Sequence, residues 1–208
     1  MYDPLGHRRI MIGWVPPGVP PGYSEPIANF SRLWHQCSLL RDVRYDSRLQ
    51  QLTALPIQEY ARLRTGRLVP TITGHTLTAS RPTVGLGEGR QLDISVRFAL
   101  PAAGSKAMPA ATRLGVAVLT SSDLTHRTDV FLSPAVASVA ASGDRDSSAW
   151  ALTVNTSLSG AVPGHANRFP IATQLFKTLP DENFLELRVV LDRSTYCTLS
   201  PLANLLVS

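Results

Sequence analysis

The sequence predicts an all-β protein, and three observations lead to this fold class. The 208 residues include 16 prolines and 14 glycines, which favour many turns and short elements over long helices. Between residues 92 and 100, apolar residues alternate with mainly polar ones, as in a strand that buries one face. The same alternation recurs at 114–118 and 150–154, with turn-rich stretches in between. A hydrophobic content of 44% is typical of a folded globular protein.

The N-terminal part, residues 1–55, contains four short strand candidates. They lie at 10–15, 33–40, 43–45 and 49–52. Residues 16–29 hold five prolines and two glycines, so a surface loop is expected between the first two strands. Four short strands joined by loops suit one antiparallel sheet or one blade of a β-propeller.

Residues 56–66 are predicted to form a short helix that connects two modules. Pro56 stands at a favourable first helical position, and good helix formers follow it. Ile57, Tyr60 and Leu63 lie three residues apart and therefore share one face, while Gly66 is suited to end the segment.

Residues 67–208 are predicted to form a β-sandwich. Besides the three alternating segments, strands are expected at 75–79, 128–132, 172–177 and 184–191. Seven or so short strands separated by turns, such as those at 85–89 and 142–147, are typical of two packed antiparallel sheets.

Composition and spacing argue against several classes of function. The formal net charge is +5, but the basic residues are dispersed and no nucleic-acid-binding motif accompanies them, so no nucleic-acid partner is expected. No apolar run approaches the roughly 18–20 residues that a membrane span needs, so no membrane partner is expected. The five histidines, and Cys37 with Cys197, show no metal-ligand spacing. A calcium-binding loop is conceivable at four aspartates, but they show no EF-hand order and are interpreted as solvated turn acids; they are Asp123, Asp129, Asp144 and Asp146. We therefore expect no metal and no cofactor.

The order of motifs resembles glycoside hydrolase family 32, the family of invertases, inulinases, levanases and fructosyltransferases. Residues 7–14, HRRIMIGW, are similar to a GRR-hydrophobic-GW strand near the end of its catalytic domain, and 38–42, SLLRD, to its SLPRE segment. Residues 52–64 look like its connector, and 114–129 and 187–194 look like two segments of its C-terminal sandwich. The resemblance covers about residues 5–194.

This resemblance implies a fold and a parent activity. The fold would be the last blade of a five-bladed β-propeller followed by a C-terminal β-sandwich. The parent activity would be hydrolysis of O-glycosyl β-fructofuranosyl bonds, in carbohydrate metabolism, with sucrose or a fructan as the partner. The family is often secreted or vacuolar, but no signal peptide opens this sequence, so its localisation and oligomeric state are not predicted.

The resemblance also implies that the catalytic residues are missing. Retaining glycosidases need two carboxyl groups about 5–5.5 Å apart, and the family's three catalytic motifs all precede its GRR-hydrophobic-GW strand. The acids of residues 1–66 match none of those motifs; they are Asp3, Glu25, Asp42, Asp46 and Glu59. Asp3 precedes Pro4 and is expected to be a turn residue. We therefore predict no catalytic residue and no activity for the chain alone.

Trp14 is the one residue that the resemblance carries towards a substrate. An aromatic near the end of this strand can approach the active-site funnel in the family, and an aromatic face suits a sugar ring. The alternative is a core tryptophan, which we favour.

Two other interpretations of the whole chain stay open. One is a non-catalytic carbohydrate-binding or interaction module that uses the sandwich, and the other is a truncated, non-functional gene product. After residue 194 the sequence departs from the family's pattern, and we expect this apolar tail to lack the usual strands.

Overall fold

The structure, a computed structural model, describes residues 1–15, 36–64, 71–77, 85–89, 91–101, 108–109, 111–135, 148–159, 171–179, 182–192 and 195–199. These residues form thirteen β-strands and one 3-10 helix, which confirms the all-β prediction. The strands are β1 Tyr2–Asp3, β2 Arg8–Met11, β3 Trp14–Val15, β4 Gln36–Cys37, β5 Arg41–Asp46, β6 Gln51–Pro56, β7 Gln91–Ala99, β8 Leu114–Val118, β9 Thr128–Pro134, β10 Ser148–Asn155, β11 Ile171–Thr178, β12 Phe184–Asp192 and β13 Thr195–Leu199. In this part of the chain no helix is long and apolar enough to cross a membrane.

Four strands form an N-terminal sheet in the order β1-β2-β5-β6, and every neighbouring pair is antiparallel. The hairpin between β5 and β6 is held by Asp46, whose side-chain oxygen accepts hydrogen bonds from the backbone amides of Arg48 and Leu49. Gln50 completes the turn with a φ of 52°, in the left-handed region. β3 and β4, which lie between β2 and β5 in the sequence, pair with each other as a separate antiparallel two-stranded ribbon.

A 3-10 helix over Gln58–Leu63 follows directly after β6. Its start is fixed to the N-terminal sheet, because the amide of Ile57 donates to the carbonyl of Leu40, and the amide of Leu40 donates to the Tyr60 hydroxyl at 2.7 Å. The helix begins at Gln58 rather than at Pro56, because Pro56 is the last residue of β6.

Two antiparallel sheets pack face to face in the remaining part. The larger sheet has the order β11-β10-β9-β8, and the smaller has the order β13-β12-β7. Alternate residues of both sheets point into one shared core, as period-2 strands require. The fully buried members of this core are Val130, Leu132, Leu152, Val154, Leu187 and Val189. This confirms the predicted sandwich.

Several predicted strand bounds were wrong in the N-terminal part. The strand expected at 10–15 divides into β2 and β3, because the amide of Gly13 donates to Ser38 Oγ and turns the chain from β5 towards β4. The strand expected at 49–52 begins only at Gln51, since the Asp46 turn occupies the residues before it. Within the strand expected at 33–40, only β4 is a strand among the described residues, and 33–35 lie outside them.

In the sandwich, the predicted strand bounds agree more closely with the structure. The strand predicted at 114–118 is confirmed as β8, and those at 128–132, 150–154, 172–177 and 184–191 are confirmed with longer bounds. No strand forms at 75–77, and residues 78–79 lie outside the described part. The tail was expected to lack strands, but β13 runs antiparallel to β12, with Thr195 opposite Asp192. The threonine and tyrosine of this segment suit an edge strand.

Candidate functional site

Trp14 was the only predicted substrate contact, and the structure describes its backbone. Trp14 lies in β3 opposite Cys37 of β4. The ribbon is anchored where it leaves β2, because Gly13 and Ser38 exchange hydrogen bonds through the Gly13 carbonyl and the Ser38 amide at 2.8 Å. The side chain of Trp14 lies outside the described part, so its contact with a sugar stays a prediction.

Both carboxylate oxygens of Asp3 are hydrogen-bonded to neighbouring residues. Its Oδ1 accepts hydrogen bonds from the backbone amides of Leu5 and Gly6, and its Oδ2 accepts one from Arg8 Nε at 2.8 Å. The bond from Arg8, reinforced by that of Gly6, lowers the pKa of Asp3 below its ordinary value of 3.8. Asp3 was expected to be a turn residue, but it is the last residue of β1, and these contacts stabilise the turn that follows it.

Glu59 is bound by the same arginine. Both of its carboxylate oxygens accept hydrogen bonds from the Arg8 guanidinium, and this interaction lowers the pKa of Glu59. A general acid of a glycosidase needs the opposite, a raised pKa that keeps its proton near neutral pH. Asp3 and Glu59 are therefore suited to hold Arg8 and unsuited to protonate a leaving group.

Asp42 and Asp46 complete the acids that the structure describes before residue 66; Glu25 lies outside that part. Asp42 is buried and accepts hydrogen bonds from Arg44 through Oδ2. Asp46 holds the β5–β6 turn. Each of these carboxylates is thus engaged in local structure.

A second arginine–carboxylate cluster joins the 3-10 helix to the sandwich. Arg64, just after the helix, donates to Asp93 on β7, with Nε 2.7 Å from Oδ2. Arg188 on β12 binds the same carboxylate as a fork, with both donor–acceptor distances at 2.7 Å. Burial raises the pKa of Asp93, but the hydrogen bonds and charges of Arg188 and Arg64 outweigh it and hold that pKa below 3.8.

The connecting helix is consequently clasped at both ends. Glu59 ties it to Arg8 of the N-terminal sheet, and Arg64 ties it to Asp93 of the sandwich. We call these two contacts the clasp. A connector is predicted here from the sequence, but the clasp is not, because its charged partners are 51 and 29 residues apart along the chain.

No group of three or more potential metal ligands occurs among the residues that the structure describes. Asp123, which was weighed as a calcium ligand, instead organises the β8–β9 loop. Its Oδ1 accepts hydrogen bonds from Ser121 Oγ and from the amide and hydroxyl of Thr125. The bond from Ser121, followed by those of Thr125, lowers the pKa of Asp123 to about 2. For Asp123 the interpretation as a turn acid agrees with these contacts. It is wrong for Asp129, which lies within β9, and Asp144 and Asp146 lie outside the described residues.

No protein-family model matches the sequence, and no curated protein matches it either. Solved structures do match. Fructan 1-exohydrolase IIa from Cichorium intybus superposes with a TM-score of 0.63 at 16% identity, and a variant of that enzyme in complex with 1-kestose gives 0.62 at 16%. The alignment covers 96% of this chain and 38% of those chains.

The likeness is one of fold. The chain has an all-β fold like that of a family 32 fructan hydrolase, in which a propeller and a β-sandwich follow one another. This agrees with the fold class expected from the motifs. The number of blades, the domain bounds at 55 and 66, and the role of Trp14 stay predictions. The chain spans 38% of the length of the matched structures.

Proposed function

We propose that this chain is the C-terminal part of a β-fructofuranosidase-like glycoside hydrolase. In this proposal residues 1–55 are the last blade of a five-bladed propeller, 56–66 the connector, and 67–208 the supporting β-sandwich. The parent activity is hydrolysis of β-fructofuranosyl bonds in sucrose or fructans. The chain alone does not perform it.

One observation carries this proposal. Nearly the whole chain, 96%, superposes on a fructan hydrolase, while the motifs of residues 7–14, 38–42 and 52–64 follow the family's order. The superposition concerns backbone shape and the motif order concerns residue identity, and both lead to the same family of folds.

The clasp supports the proposed role of the connector. In the proposed arrangement the connector positions the support domain beside the propeller, and ion pairs near both ends of the helix Gln58–Leu63 link it to the N-terminal sheet and to the sandwich. Bidentate arginine–carboxylate pairs restrict direction as well as distance, because the planar fork must align with the carboxylate.

The substrate class follows from the matched structures only by analogy. One of them contains 1-kestose, a fructan, so a fructan is the substrate we propose for the parent enzyme. Trp14 is proposed to contribute an apolar face to that sugar site, because its strand is anchored at the end of the N-terminal sheet through Gly13 and Ser38.

The proposal is tested with two proteins. The first is the chain alone, incubated with sucrose, 1-kestose and inulin; we expect no fructose. The second is a fused protein in which this chain replaces the matched 38% of fructan 1-exohydrolase IIa; we expect fructose from 1-kestose. Turnover by the chain alone would contradict the missing-carboxylate argument. A folded but inactive fused protein would contradict the proposed parent activity.

A further inference from the structure

The turn at the end of β10 carries the sequence pattern of an N-glycosylation acceptor. Asn155, Thr156 and Ser157 form an Asn-x-Ser tripeptide whose middle residue is not proline. Such tripeptides are short and also occur by chance, so the pattern has weight only where the asparagine nitrogen is free of other bonds and the surface has room for a bulky oligosaccharide. Both conditions are set by the geometry of this turn and of the strands beside it.

The side-chain oxygen of Asn155 is engaged within the turn, whereas its nitrogen is not. Oδ1 accepts hydrogen bonds from the Ser157 backbone amide at 3.0 Å and from the Ser157 hydroxyl at 2.6 Å. Because a backbone amide can only donate, the atom that faces it is the oxygen, and Nδ2 lies on the other side of the carboxamide. Nδ2 has no hydrogen-bond partner among the residues that the structure describes. Asn155 thus leaves unbonded the atom to which a sugar would be attached.

The turn that leaves Nδ2 unbonded is formed by neighbouring residues alone. An asparagine whose side-chain oxygen accepts from the backbone amide two residues later forms an Asx-turn, which mimics a backbone turn. Both hydrogen bonds to Asn155 come from Ser157, so no contact from another strand is needed to form them. N-glycosylation acts on a chain as it enters the secretory pathway, before distant strands have packed into a sandwich. A local turn is available to the transferase at that stage.

The folded sandwich also leaves room for a glycan at Asn155. The preceding residue, Val154, is buried in the core, so Asn155 points to the outer face of the larger sheet. On that face Asn155 lies opposite Asp129 of β9 and opposite Ile171 of the edge strand β11. Asp129 is bound by Arg127, whereas Ile171 is 58% exposed. Side chains directly opposite each other have Cβ atoms about 4.5–5.5 Å apart, so Ile171 is next to the attachment point.

A glycan at this position would protect an edge of the sheet. β11 is the last strand of the order β11-β10-β9-β8, and its outward residues Ile171 and Leu175 are 58% and 43% exposed. An edge strand with exposed apolar side chains invites pairing with another chain, which proteins commonly prevent with charges, bulges or a covering element. A bulky, hydrophilic oligosaccharide attached beside Ile171 would be such a covering element.

We propose that Asn155 carries an N-linked oligosaccharide whose first sugar residues cover Ile171. The sugar donor is an oligosaccharide linked to a lipid pyrophosphate. In the transfer, the Asn155 nitrogen forms a bond to the anomeric carbon of the first sugar, and the bond between that carbon and the pyrophosphate oxygen breaks. The nitrogen loses one proton and the lipid pyrophosphate leaves, so the step needs neither an oxidant nor a reductant.

The test uses the full chain, carried into the secretory pathway of eukaryotic cells by a cleavable leader. Every test protein contains Asn29→Gln, which removes the second tripeptide of this kind, at 29–31, and this chain is the reference. Asn155→Asp keeps the oxygen that accepts the turn's hydrogen bonds but lacks the nitrogen, and Ser157→Thr keeps the hydroxyl. We expect the reference and Ser157→Thr to lose the mass of one oligosaccharide on treatment with peptide-N-glycosidase, and Asn155→Asp to lose none.

Two outcomes of this measurement would overturn the inference. One is a reference chain whose mass does not change on treatment, and the other is a mass loss that persists in Asn155→Asp. Chain retained inside the cells is analysed together with secreted chain, because the oligosaccharide is transferred before folding is complete. A variant that folds poorly therefore still gives a result. Neither outcome affects the proposed function, which does not depend on a glycan.

The covering of Ile171 is measured by hydrogen exchange. The glycosylated reference is compared with the same protein after glycosidase treatment, which converts Asn155 to aspartate and so keeps the turn's acceptor oxygen. We expect slower exchange at the start of β11 when the glycan is present, and no difference in β8, the opposite edge of the same sheet. Equal exchange in β11 with and without the glycan would contradict the covering of Ile171.

Discussion

Removing the carboxylate of Asp93 tests the clasp and the sandwich together. Asp93→Ala deletes the acceptor shared by Arg188 and Arg64. The Asp93 and Arg188 side chains are each 23% exposed, so this fork is partly shielded from water, while the Arg64 side chain is 51% exposed. The variant therefore leaves a half-buried guanidinium without its carboxylate.

The expected cost follows from these exposures. Hydrogen bonds to charged groups contribute about 1.5–3 kcal/mol when shielded, whereas exposed ion pairs contribute about 0–1 kcal/mol. Taking the Arg188 fork as shielded and the Arg64 pair as exposed, Asp93→Ala is expected to lower the free energy of unfolding by about 2 kcal/mol. For a chain of this size that corresponds to roughly 4–8 °C in the thermal midpoint.

A matched control lies on the same face of the same two strands. Glu186 accepts hydrogen bonds from Arg97 Nε at 2.9 Å and from Ser95 Oγ at 2.8 Å, but both are single, exposed contacts and Arg97 is 68% exposed, so Glu186→Ala is expected to cost only about 0.5–1 kcal/mol. Urea denaturation followed by tryptophan fluorescence measures both variants. If Asp93→Ala costs no more than Glu186→Ala, the shielded fork is not a main stabilising contact, and the reasoning from exposure is refuted.

Three further predictions follow from local geometry. The pKa of Asp93 is lowered in the folded chain, so its stabilising effect is present above the unfolded pKa and is lost as pH falls through the folded pKa. The difference in the free energy of unfolding between the unmodified chain and Asp93→Asn should therefore shrink below about pH 4. A difference that stays constant with pH would contradict this. A Cβ at Gly115 would lie 2.6 Å from the Phe131 Cα and nearer still to the Val130 carbonyl oxygen, so Gly115→Ala should cost about 1–3 kcal/mol in urea denaturation, whereas Gly85→Ala, in open space, should cost little. Equal costs would show that β8 shifts freely. An NMR titration should give Asp123 a pKa of about 2, and a value near 3.8 would show that Ser121 and Thr125 do not bind it in solution.

The sandwich was predictable because its strands alternate. In β8, Leu114, Val116 and Val118 face the core while Gly115 and Ala117 do not, and one period-2 pattern fixed both ends. The same signal marked β7, whose burial alternates over all nine residues. Each such strand can be predicted from its own residues, because one of its faces is buried and the other faces solvent.

The N-terminal bounds were less predictable because tertiary contacts set them. The break at Gly13 depends on Ser38, 25 residues later, and the start of β6 depends on a turn held by Asp46 with Gln50 in a left-handed conformation. Gln50 and Leu124 both have a positive φ, although neither glutamine nor leucine favours that conformation, so the residue type does not predict it. Local pattern could not supply these bounds.

The clasp and the Asp93–Arg188 pair were unpredictable for a similar reason. Arg64 and Asp93 are 29 residues apart, and Asp93 and Arg188 are 95 apart. Sequence placed each on a polar strand face or helix end, but only the register of β7 against β12 decides which charges meet. The prediction that the catalytic acids are missing, in contrast, rests on motif identity alone.

The most direct test of the central claim is fructose release from 1-kestose by the fused protein. The account predicts release when this chain stands in place of the matched part of fructan 1-exohydrolase IIa, and none from the chain alone. A fused protein that is folded, as judged by a cooperative thermal transition, and yet releases no fructose would contradict it.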